Sequence, residues 1–256
     1  MPGLFKLIFW GLLLALGVAA YAVYDGRLQI PDRYNPWAPL RIAEPLNALT
    51  AFKLGRATGD PAMCVATLAE SGMRFQPVGD RETGTGCGFS NAVRISGLDS
   101  SAGRNLAMQP FVLSCRAAVS LAMWEQHVLQ PAAQANFRQS VTGIDHLGSY
   151  ACRNIYHRDN ASRSRHATAD ALDIGGVRLS GGKRVSVLRD WAPAGGERKA
   201  VDGVAGDSND ASAEARFLRE IHQGACRFFD GVLGPEYNAA HRDHFHFDRG
   251  SFGVCR

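Results

Sequence analysis

The chain has 256 residues, of which 46% are hydrophobic, and this combination suits one large folded domain or two small ones and excludes a wholly disordered chain. Its 28 Lys and Arg outnumber its 24 Asp and Glu, so the formal net charge at pH 7 is +4. Because the basic residues are scattered, we expect no nucleic-acid partner, and a polyanionic cell envelope suits the charge equally well.

The N-terminus carries a membrane signal. Residues 4–24 contain one charge, at Lys6, followed by eighteen uncharged and mostly apolar residues. About twenty such residues span a bilayer, whereas the apolar part of a secretory signal has about 7 to 15, so the length favours a retained anchor. Ala20 and Ala22 still offer a small-x-small cleavage site. We expect residues 1–24 to be a membrane anchor or signal sequence, with the remainder in the periplasm, or secreted after cleavage.

The chain contains six cysteines, an even number, at wide spacing and without a CxxC pair. The lack of a CxxC pair argues against a zinc ribbon, and in an exported protein this pattern predicts disulfides. Six cysteines allow fifteen pairings, and the sequence alone selects none of them. The residues concerned are Cys64, Cys87, Cys115, Cys152, Cys226 and Cys255.

Residues 25–59 are rich in proline. Pro31, Pro36, Pro39 and Pro45 are spaced so that neither a long helix nor a central strand fits. The spacing therefore predicts an extended tether. Large apolar residues occur along it, so we expect part of the segment to lie against the folded domain.

Residues 60–256 are expected to form the folded domain, and they begin with a helix signal. Asp60 is a candidate N-cap, and Pro61 suits the first helical position. A second helix is predicted over residues 114–137, with an interruption at Pro131.

Beyond the helices the apolar period changes to that of a strand. Val177 and Leu179 precede a Ser-Gly-Gly turn and Val185, which predicts a β-hairpin. After a polar, glycine-rich loop over residues 192–212, a helix is predicted from about Ser212 to Gly231 or Gly234. Helices mixed with hairpins predict an α+β fold.

The segment "HFHFD" has the pattern of a metal-binding strand. His244, His246 and Asp248 alternate with Phe245 and Phe247, which predicts a strand with a buried aromatic face and a polar face over a cavity. The two histidines then point the same way, with Cα atoms roughly 6 to 7 Å apart. A metal bound near one of them leaves the other as a second ligand or as a catalytic base.

Further ligands are expected in "SRSRHATADALDIGG". If the chain is extended from about Ala169, then Asp173 shares a face with small residues that leave room for an ion, whereas Asp170 points the other way. A turn must separate His166 from Asp173, because a continuous helix would hold them about 10 Å apart. Two histidine nitrogens and one carboxylate oxygen suit zinc and leave one position open for water. The same ligands suit iron(II), although an exported protein with disulfides makes zinc the better expectation.

These residues resemble the LAS group of zinc peptidases, which includes D-alanyl-D-alanine carboxypeptidases and peptidoglycan endopeptidases. Its pattern S-x-H-x-x-G-x-A-x-D is met by Ser164, His166, Ala171 and Asp173, with Ala169 in place of the glycine. The closing H-x-x-H-x-H of its endopeptidase branch is similar to His241, His244 and His246.

A longer resemblance, from about Thr50 to the end, is to the extensin-like C-terminal domain family of bacterial envelope proteins. It is carried by the six cysteines and by "GSYACR", "HATADALDI" and "VLGPEYNAAHRDHFHFD". It implies a LAS-like α+β fold, in which a small antiparallel sheet has flanking helices and disulfides join neighbouring cysteines. These implied pairs are Cys64 with Cys87, Cys115 with Cys152, and Cys226 with Cys255.

The resemblance also implies roles in the site. Zinc would be bound by His166, Asp173 and His246, while His244 would stand where other LAS members carry a glutamate base. His241, the first histidine of the motif, joins the candidate catalytic residues.

One more catalytic candidate comes from "GSYACRN", which resembles the S-G-Y-R segment of LAS peptidases. That likeness implies that Arg153 faces the scissile carbonyl or a substrate carboxylate. From the residues alone, an arginine beside Cys152 is equally well a surface residue.

Together these features predict a zinc-dependent peptidase that acts on the stem peptides or cross-links of peptidoglycan, as an endopeptidase or a carboxypeptidase. The alternative is a non-catalytic, metal-containing domain that binds or scaffolds the cell wall. In both cases the expected partners are peptidoglycan or its peptides, and the membrane through the N-terminal segment.

Overall fold

The computed structural model describes residues 2–99, 105–191, 212–250 and 253–256, and it divides into the units Met1–Pro39 and Leu40–Arg256. In the first unit, helix α1 (Pro2–Tyr24) is long and apolar enough to cross a membrane, by length and composition. A signal sequence meets the same test, so both expected roles of this segment stay open.

A nine-stranded, mostly antiparallel sheet runs through the described part of the second unit. The strand order is β1-β4-β5-β6-β7-β10-β9-β11, with β8 beside β7, and only the pairs β5–β6 and β9–β11 are parallel within it. A separate hairpin consists of β2 and β3. The strands are β1 (Met73–Val78), β2 (Arg81–Gly84), β3 (Cys87–Phe89), β4 (Ala92–Asp99), β5 (Asn105–Ser114), β6 (Val141–Gly148), β7 (Ala171–Leu179), β8 (Arg184–Ser186), β9 (Gly231–Leu233), β10 (Phe245–Asp248) and β11 (Val254–Cys255).

Helices flank this sheet and bury an apolar core against it. Trp124 and Phe217 come from the helices and Phe245 and Phe247 from strand β10, and all four are fully buried. The predicted α+β fold, a mostly antiparallel sheet with flanking helices and disulfides, is confirmed. The helices of the second unit are α2 (Thr50–Gly59), α3 (Pro61–Ala69), α4 (Cys115–Trp124), α5 (Gln130–Phe137), α6 (Val187–Asp190) and α7 (Ala213–Ala225).

The C-terminal part of the proline-rich segment packs into the second unit. Leu40, Ile42 and Leu54 are core residues, as expected for the apolar side chains of this stretch. Its last ten residues form helix α2, which the proline spacing did not predict. They contain no proline, so nothing in this piece opposes a helix.

The two predicted N-terminal helices are present. Asp60 caps α3 by accepting a hydrogen bond from the backbone N–H of Met63 at 2.8 Å, and a proline follows the cap. The second helix continues past the expected break through a π-helical turn, Glu125–Leu129. After this wide turn Pro131 lies in the first turn of α5. Proline has no N–H to donate, and the first turn of a helix is where a missing N–H is tolerated.

The later predictions hold with one shift. Strands β7 and β8 form the expected hairpin, and Ser212 caps α7 by accepting from the backbone N–H of Ala215 at 3.1 Å. Helix α7 ends at Ala225, earlier than expected, because the chain turns there and Gly231 already begins β9. The predicted polar loop lies outside the described residues, apart from its last position.

All six cysteines form disulfides, but two of the implied pairings are wrong. Cys64 on α3 pairs with Cys115 at the start of α4, because these two helices pack together. Cys87, in the separate hairpin, pairs with Cys152. Only the implied pair of Cys226 with Cys255 is confirmed.

Candidate functional site

Strand β10 places the polar and aromatic side chains of "HFHFD" on opposite faces. Phe245 and Phe247 are fully buried, and His246 and Asp248 are also buried, so the polar face is more enclosed than the alternation alone predicted. In the register of the sheet, His246 lies directly opposite Asp173 on β7. These two side chains therefore share one face of neighbouring strands.

A short 3-10 turn, Arg165–Thr168, brings His166 onto the same face. The hydroxyl of Ser164 accepts a hydrogen bond from the backbone N–H of His166 at 3.3 Å. The turn ends at Ala169, whose φ of 54° and ψ of 26° are left-handed. The predicted turn between His166 and Asp173 is thus present.

Three candidate ligand atoms meet at one point. Nε2 of His166 lies 3.1 Å from Oδ2 of Asp173, and Nδ1 of His246 lies 2.9 Å from Oδ1 of the same carboxylate. The two ring nitrogens are 3.3 Å apart. Such spacings could hold one metal ion between the three groups.

The outward nitrogens of both histidines are already hydrogen-bonded. Nδ1 of His166 lies 3.0 Å from the carbonyl of Ser149, and Nε2 of His246 lies 3.1 Å from Oδ2 of Asp248. A carbonyl or carboxylate only accepts, so each of these nitrogens donates. In a neutral ring the other nitrogen is then a lone-pair acceptor, and these two acceptors face each other beside Asp173. Acceptors gathered in this way need a shared positive charge, which a metal ion or a further proton on one ring would supply.

The charges around the site are strongly perturbed. Burial by itself lowers the pKa of His246, but hydrogen bonds with Asp173 and Asp248 outweigh it and raise that pKa to about 9. Burial raises the pKa of Asp173, yet hydrogen bonds with His166 and His246 keep it well below its usual range. The site is therefore built to balance positive charge against two carboxylates.

His244 lies next to the three candidate ligands. Its Nε2 is 3.6 Å from Oδ1 of Asp173, and its Nδ1 is 2.8 Å from Oδ1 of Asp243. The Asp243 carboxylate thus orients the ring. From this position His244 could act as a base beside the ligands or as a further ligand, the two roles that the sequence left open.

His241 stands on the other side of His244, at the end of a 3-10 turn, Ala239–His241. Its ring centroid lies 5.3 Å from that of His244 and 5.9 Å from that of His246. Burial, followed by the positive charges of His246 and His244, lowers the pKa of His241 to about 4. His241 is therefore a neutral ring at neutral pH.

Arg153 is half-buried beside this group. Its backbone carbonyl accepts a hydrogen bond from the N–H of Ser164 at 3.0 Å, which places Arg153 next to the turn that carries His166, and its charge makes a small contribution to the lowered pKa of His241. Among the residues that the structure describes, no hydrogen bond or ion pair involves its side chain. A guanidinium in this position is available to an anionic group.

The second aspartate considered from the sequence has a different role. Asp170 is buried and accepts two hydrogen bonds from Arg116, from Nε at 2.7 Å and from Nη2 at 2.5 Å. The hydroxyl of Thr168 donates to the same carboxylate at 2.7 Å. This fully paired carboxylate anchors the turn that carries His166.

Sequence reasoning brought together His166, Asp173, His244 and His246, but it missed their supporting partners. The sequence pattern places Asp248 on the same polar face as His246, and this alternation is a usable signal for its supporting role. The Ser149 carbonyl left no signal, because every residue has one.

Comparison with curated proteins found no match, and comparison with solved structures found none either. The family model described as "Extensin-like protein C-terminus" matches residues 62–256, which is well over half of the chain and includes every candidate site residue. The chain therefore belongs to the extensin-like protein C-terminus family.

Proposed function

We propose that this protein is a zinc-dependent peptidase of the bacterial cell envelope that cleaves peptide bonds in peptidoglycan stem peptides or cross-links. One observation carries the proposal. His166, His246 and Asp173 turn three acceptor atoms toward one point, while the outward nitrogens of both rings are hydrogen-bonded. Metal-binding histidines have this arrangement, in which a second partner fixes the ring orientation.

The donor set fits zinc. Two imidazole nitrogens and one carboxylate oxygen make a three-ligand site, the number found in catalytic zinc sites. When bound, zinc lowers the pKa of a coordinated water toward about 7 and polarises a carbonyl group. Three disulfides suit an oxidising compartment and argue against iron(II).

His244 has the position and the support that a proton carrier needs. Its Nδ1 donates to the Asp243 carboxylate, which leaves Nε2 as the acceptor on the side of Asp173. A carboxylate held against the ring stabilises the imidazolium that forms when Nε2 takes a proton. In the proposal Nε2 of His244 takes a proton from the attacking water and later gives it to the nitrogen of the leaving amine.

Arg153 supplies a positive charge for the substrate. The half-buried Arg153 side chain has no polar partner among the described residues, and the backbone of Arg153 is hydrogen-bonded to Ser164, two residues before His166. We assign it to the developing negative charge on the scissile carbonyl oxygen, or to a carboxylate of the stem peptide.

The likeness to LAS peptidases also supports the proposal that the bond cleaved is a peptide bond. The family's pattern has glycine at the position of Ala169, and here the backbone is left-handed, with a φ of 54°. Glycine is the residue that adopts this conformation at least cost, so the local geometry agrees with the pattern even where the residue departs from it.

A metal-containing scaffold without activity is the second candidate. Nε2 of His244 lies 3.6 Å from Oδ1 of Asp173, so a small rotation of the ring would let His244 bind the metal as a fourth ligand. Four protein ligands would close the site, as in structural zinc sites. In this case the domain would bind the cell wall without cutting it.

The apolar helix α1 supports attachment to a membrane. Since disulfides need an oxidising environment, we assign the second unit to the periplasm, or to the exterior if the segment is cleaved.

The test uses the full chain, purified in detergent and loaded with zinc. After incubation with isolated peptidoglycan, the released muropeptides are separated and identified by mass, which also shows which bond is cut. We expect about one zinc per chain and new cleavage products, both lost in His166→Ala. The matched control is His157→Ala, which changes an exposed histidine. Zinc bound without any cleavage product supports the scaffold instead.

A further inference from the structure

We propose that Asn238 is a positioning residue that holds His241 as the tautomer protonated at Nδ1. Nε2 of His241 is then a permanent hydrogen-bond acceptor among the candidate site residues. The catalytic consequence rests on the proposed peptidase function, whereas the tautomer is a property of the chain itself and is tested separately.

The orientation of the Asn238 amide follows from its backbone neighbour. The N–H of Ala240 lies 3.0 Å from Oδ1 of Asn238, and a backbone N–H only donates, so an oxygen must occupy that side. The amide nitrogen then lies on the opposite side, where it donates to the hydroxyl oxygen of Tyr156 at 2.6 Å. A hydroxyl can donate or accept, so this second contact is compatible with the orientation that the Ala240 N–H fixes.

The tautomer of His241 follows from that orientation. Its Nδ1 lies 2.8 Å from the same Oδ1, which accepts, so Nδ1 carries the hydrogen. In the neutral ring the remaining nitrogen, Nε2, is an acceptor.

Tyr156, the hydrogen-bond partner of Asn238, has a strained backbone. Tyr156, which accepts from Asn238, has a left-handed backbone with φ 53° and ψ 25°. For an aromatic residue this conformation costs on the order of 1 kcal/mol, and such strain persists where surrounding contacts hold it. The hydrogen bond from Asn238 is such a contact, so Tyr156 and Asn238 together form the support behind His241.

The two neighbouring histidines consequently have different partners. A carboxylate, Asp243, holds His244, and a neutral amide, Asn238, holds His241. The carboxylate favours an imidazolium and suits a proton carrier, whereas the amide does not. His241 is therefore suited to accept a hydrogen bond at Nε2 from a peptide N–H or from water.

The experiment reads the tautomer directly. The full chain, labelled with ¹⁵N at histidine and loaded with zinc, is examined in detergent by NMR correlations between ring nitrogens and ring protons. His241→Gln identifies the signals of His241. We expect a protonated Nδ1 and a bare Nε2 at pH 7 in the wild type, and loss of this preference in Asn238→Ala. Asn238→Asp keeps an acceptor oxygen, so Nδ1 of His241 should stay protonated in that variant.

Asn136→Ala is the matched control, since Asn136 is bonded to Ala132 and Glu220 instead. It should leave the His241 signals unchanged. A wild-type ring protonated at Nε2, or an unchanged tautomer in Asn238→Ala, overturns the proposal. If Asn238→Ala does not fold, the wild type still tests the proposal, because a His241 ring protonated at Nε2 and bare at Nδ1 overturns it.

Kinetics separate this proposal from the proposed function. In Asn238→Ala we expect kcat for peptidoglycan cleavage to fall about 10- to 100-fold, the usual effect of removing a supporting partner, with zinc content unchanged. A wild type that cuts nothing overturns the peptidase, while its NMR spectrum still tests the role of Asn238.

Discussion

His246 and Asp248 are two residues apart on strand β10, and Nε2 of the histidine donates to Oδ2 of the carboxylate across 3.1 Å. This bond leaves Nδ1 of His246 for the point shared with Asp173 and His166. The Asp248 carboxylate also packs against Gly231 of strand β9, where any larger residue would overlap it. The absence of a side chain at Gly231 therefore leaves the space in which the carboxylate reaches His246.

Removing this carboxylate should weaken zinc binding without removing a ligand. We expect Asp248→Asn to lower zinc affinity about 10- to 100-fold, because a neutral amide holds the ring less firmly and makes Nδ1 a poorer donor to the metal. Competition with a calibrated chelator measures the change. Asp99→Asn, at a surface pair with Arg74, is the control and should have no effect. An unchanged affinity in Asp248→Asn would show that this hydrogen bond does not support the metal.

The disulfides give a prediction that separates observed from implied pairing. Mass spectrometry of an unreduced digest should find peptides that join Cys64 to Cys115 and Cys87 to Cys152. Replacing both Cys64 and Cys115 by Ser opens a loop of 51 residues and should lower the free energy of unfolding by about 4 kcal/mol on the chain-entropy estimate. Peptides that join Cys64 to Cys87 would contradict the structure.

The ion pair under the His166 turn should respond unequally to its two deletions. Arg116→Ala leaves the buried Asp170 carboxylate without its cation and should cost about 3 to 5 kcal/mol. Asp170→Ala leaves Arg116, whose side chain is 42% exposed and reaches water, so it should cost only about 1 to 3 kcal/mol. Urea unfolding with the disulfides intact measures both. Equal costs would mean that the buried carboxylate gains little from its partner.

The buried His222, which lies away from the candidate site, should make the stability of the fold sensitive to acid. Burial lowers its pKa to about 4 in the folded chain, below the ordinary 6.5. As the pH falls from 6.5 to 4, the unfolded chain therefore takes up the proton first, and up to about 3 kcal/mol of stability is lost. His222→Leu cannot titrate, so its unfolding free energy should fall less over this range, as urea unfolding at several pH values would show. Parallel curves for the two proteins would contradict the prediction.

The local structure around the site could be predicted because short-range rules determine it. Alternation located the strand that carries Phe245 and Phe247, and a length argument required a turn between His166 and Asp173. The same periodicity preferred Asp173 to Asp170, and the structure places Asp173 beside the histidines and Asp170 against Arg116.

Long-range partners could not be predicted in this way. Neighbouring cysteines are close in sequence, but the packing of α3 on α4 brings Cys64 to Cys115. The roles of Ser149 and Asn238 likewise depend on where the folded chain places a carbonyl and an amide, which no spacing encodes.

The last prediction concerns His244, because it separates the peptidase from the scaffold. As a proton carrier, His244 is not needed to bind zinc, since His166, Asp173 and His246 remain in His244→Ala. That variant should keep about one zinc per chain and lose turnover on peptidoglycan by about 10²- to 10⁴-fold, the usual scale of general acid-base catalysis.

If His244 is instead a fourth ligand, the site is closed and the outcome reverses. Zinc affinity then falls in His244→Ala, and the wild type releases no muropeptides. Bound zinc and cleavage should be measured on the same preparations, with His157→Ala as the control for loss of a histidine elsewhere. Zinc kept with turnover lost supports the peptidase, because only a catalytic histidine is dispensable for the metal and required for the reaction. An inactive wild type whose zinc depends on His244 supports the scaffold.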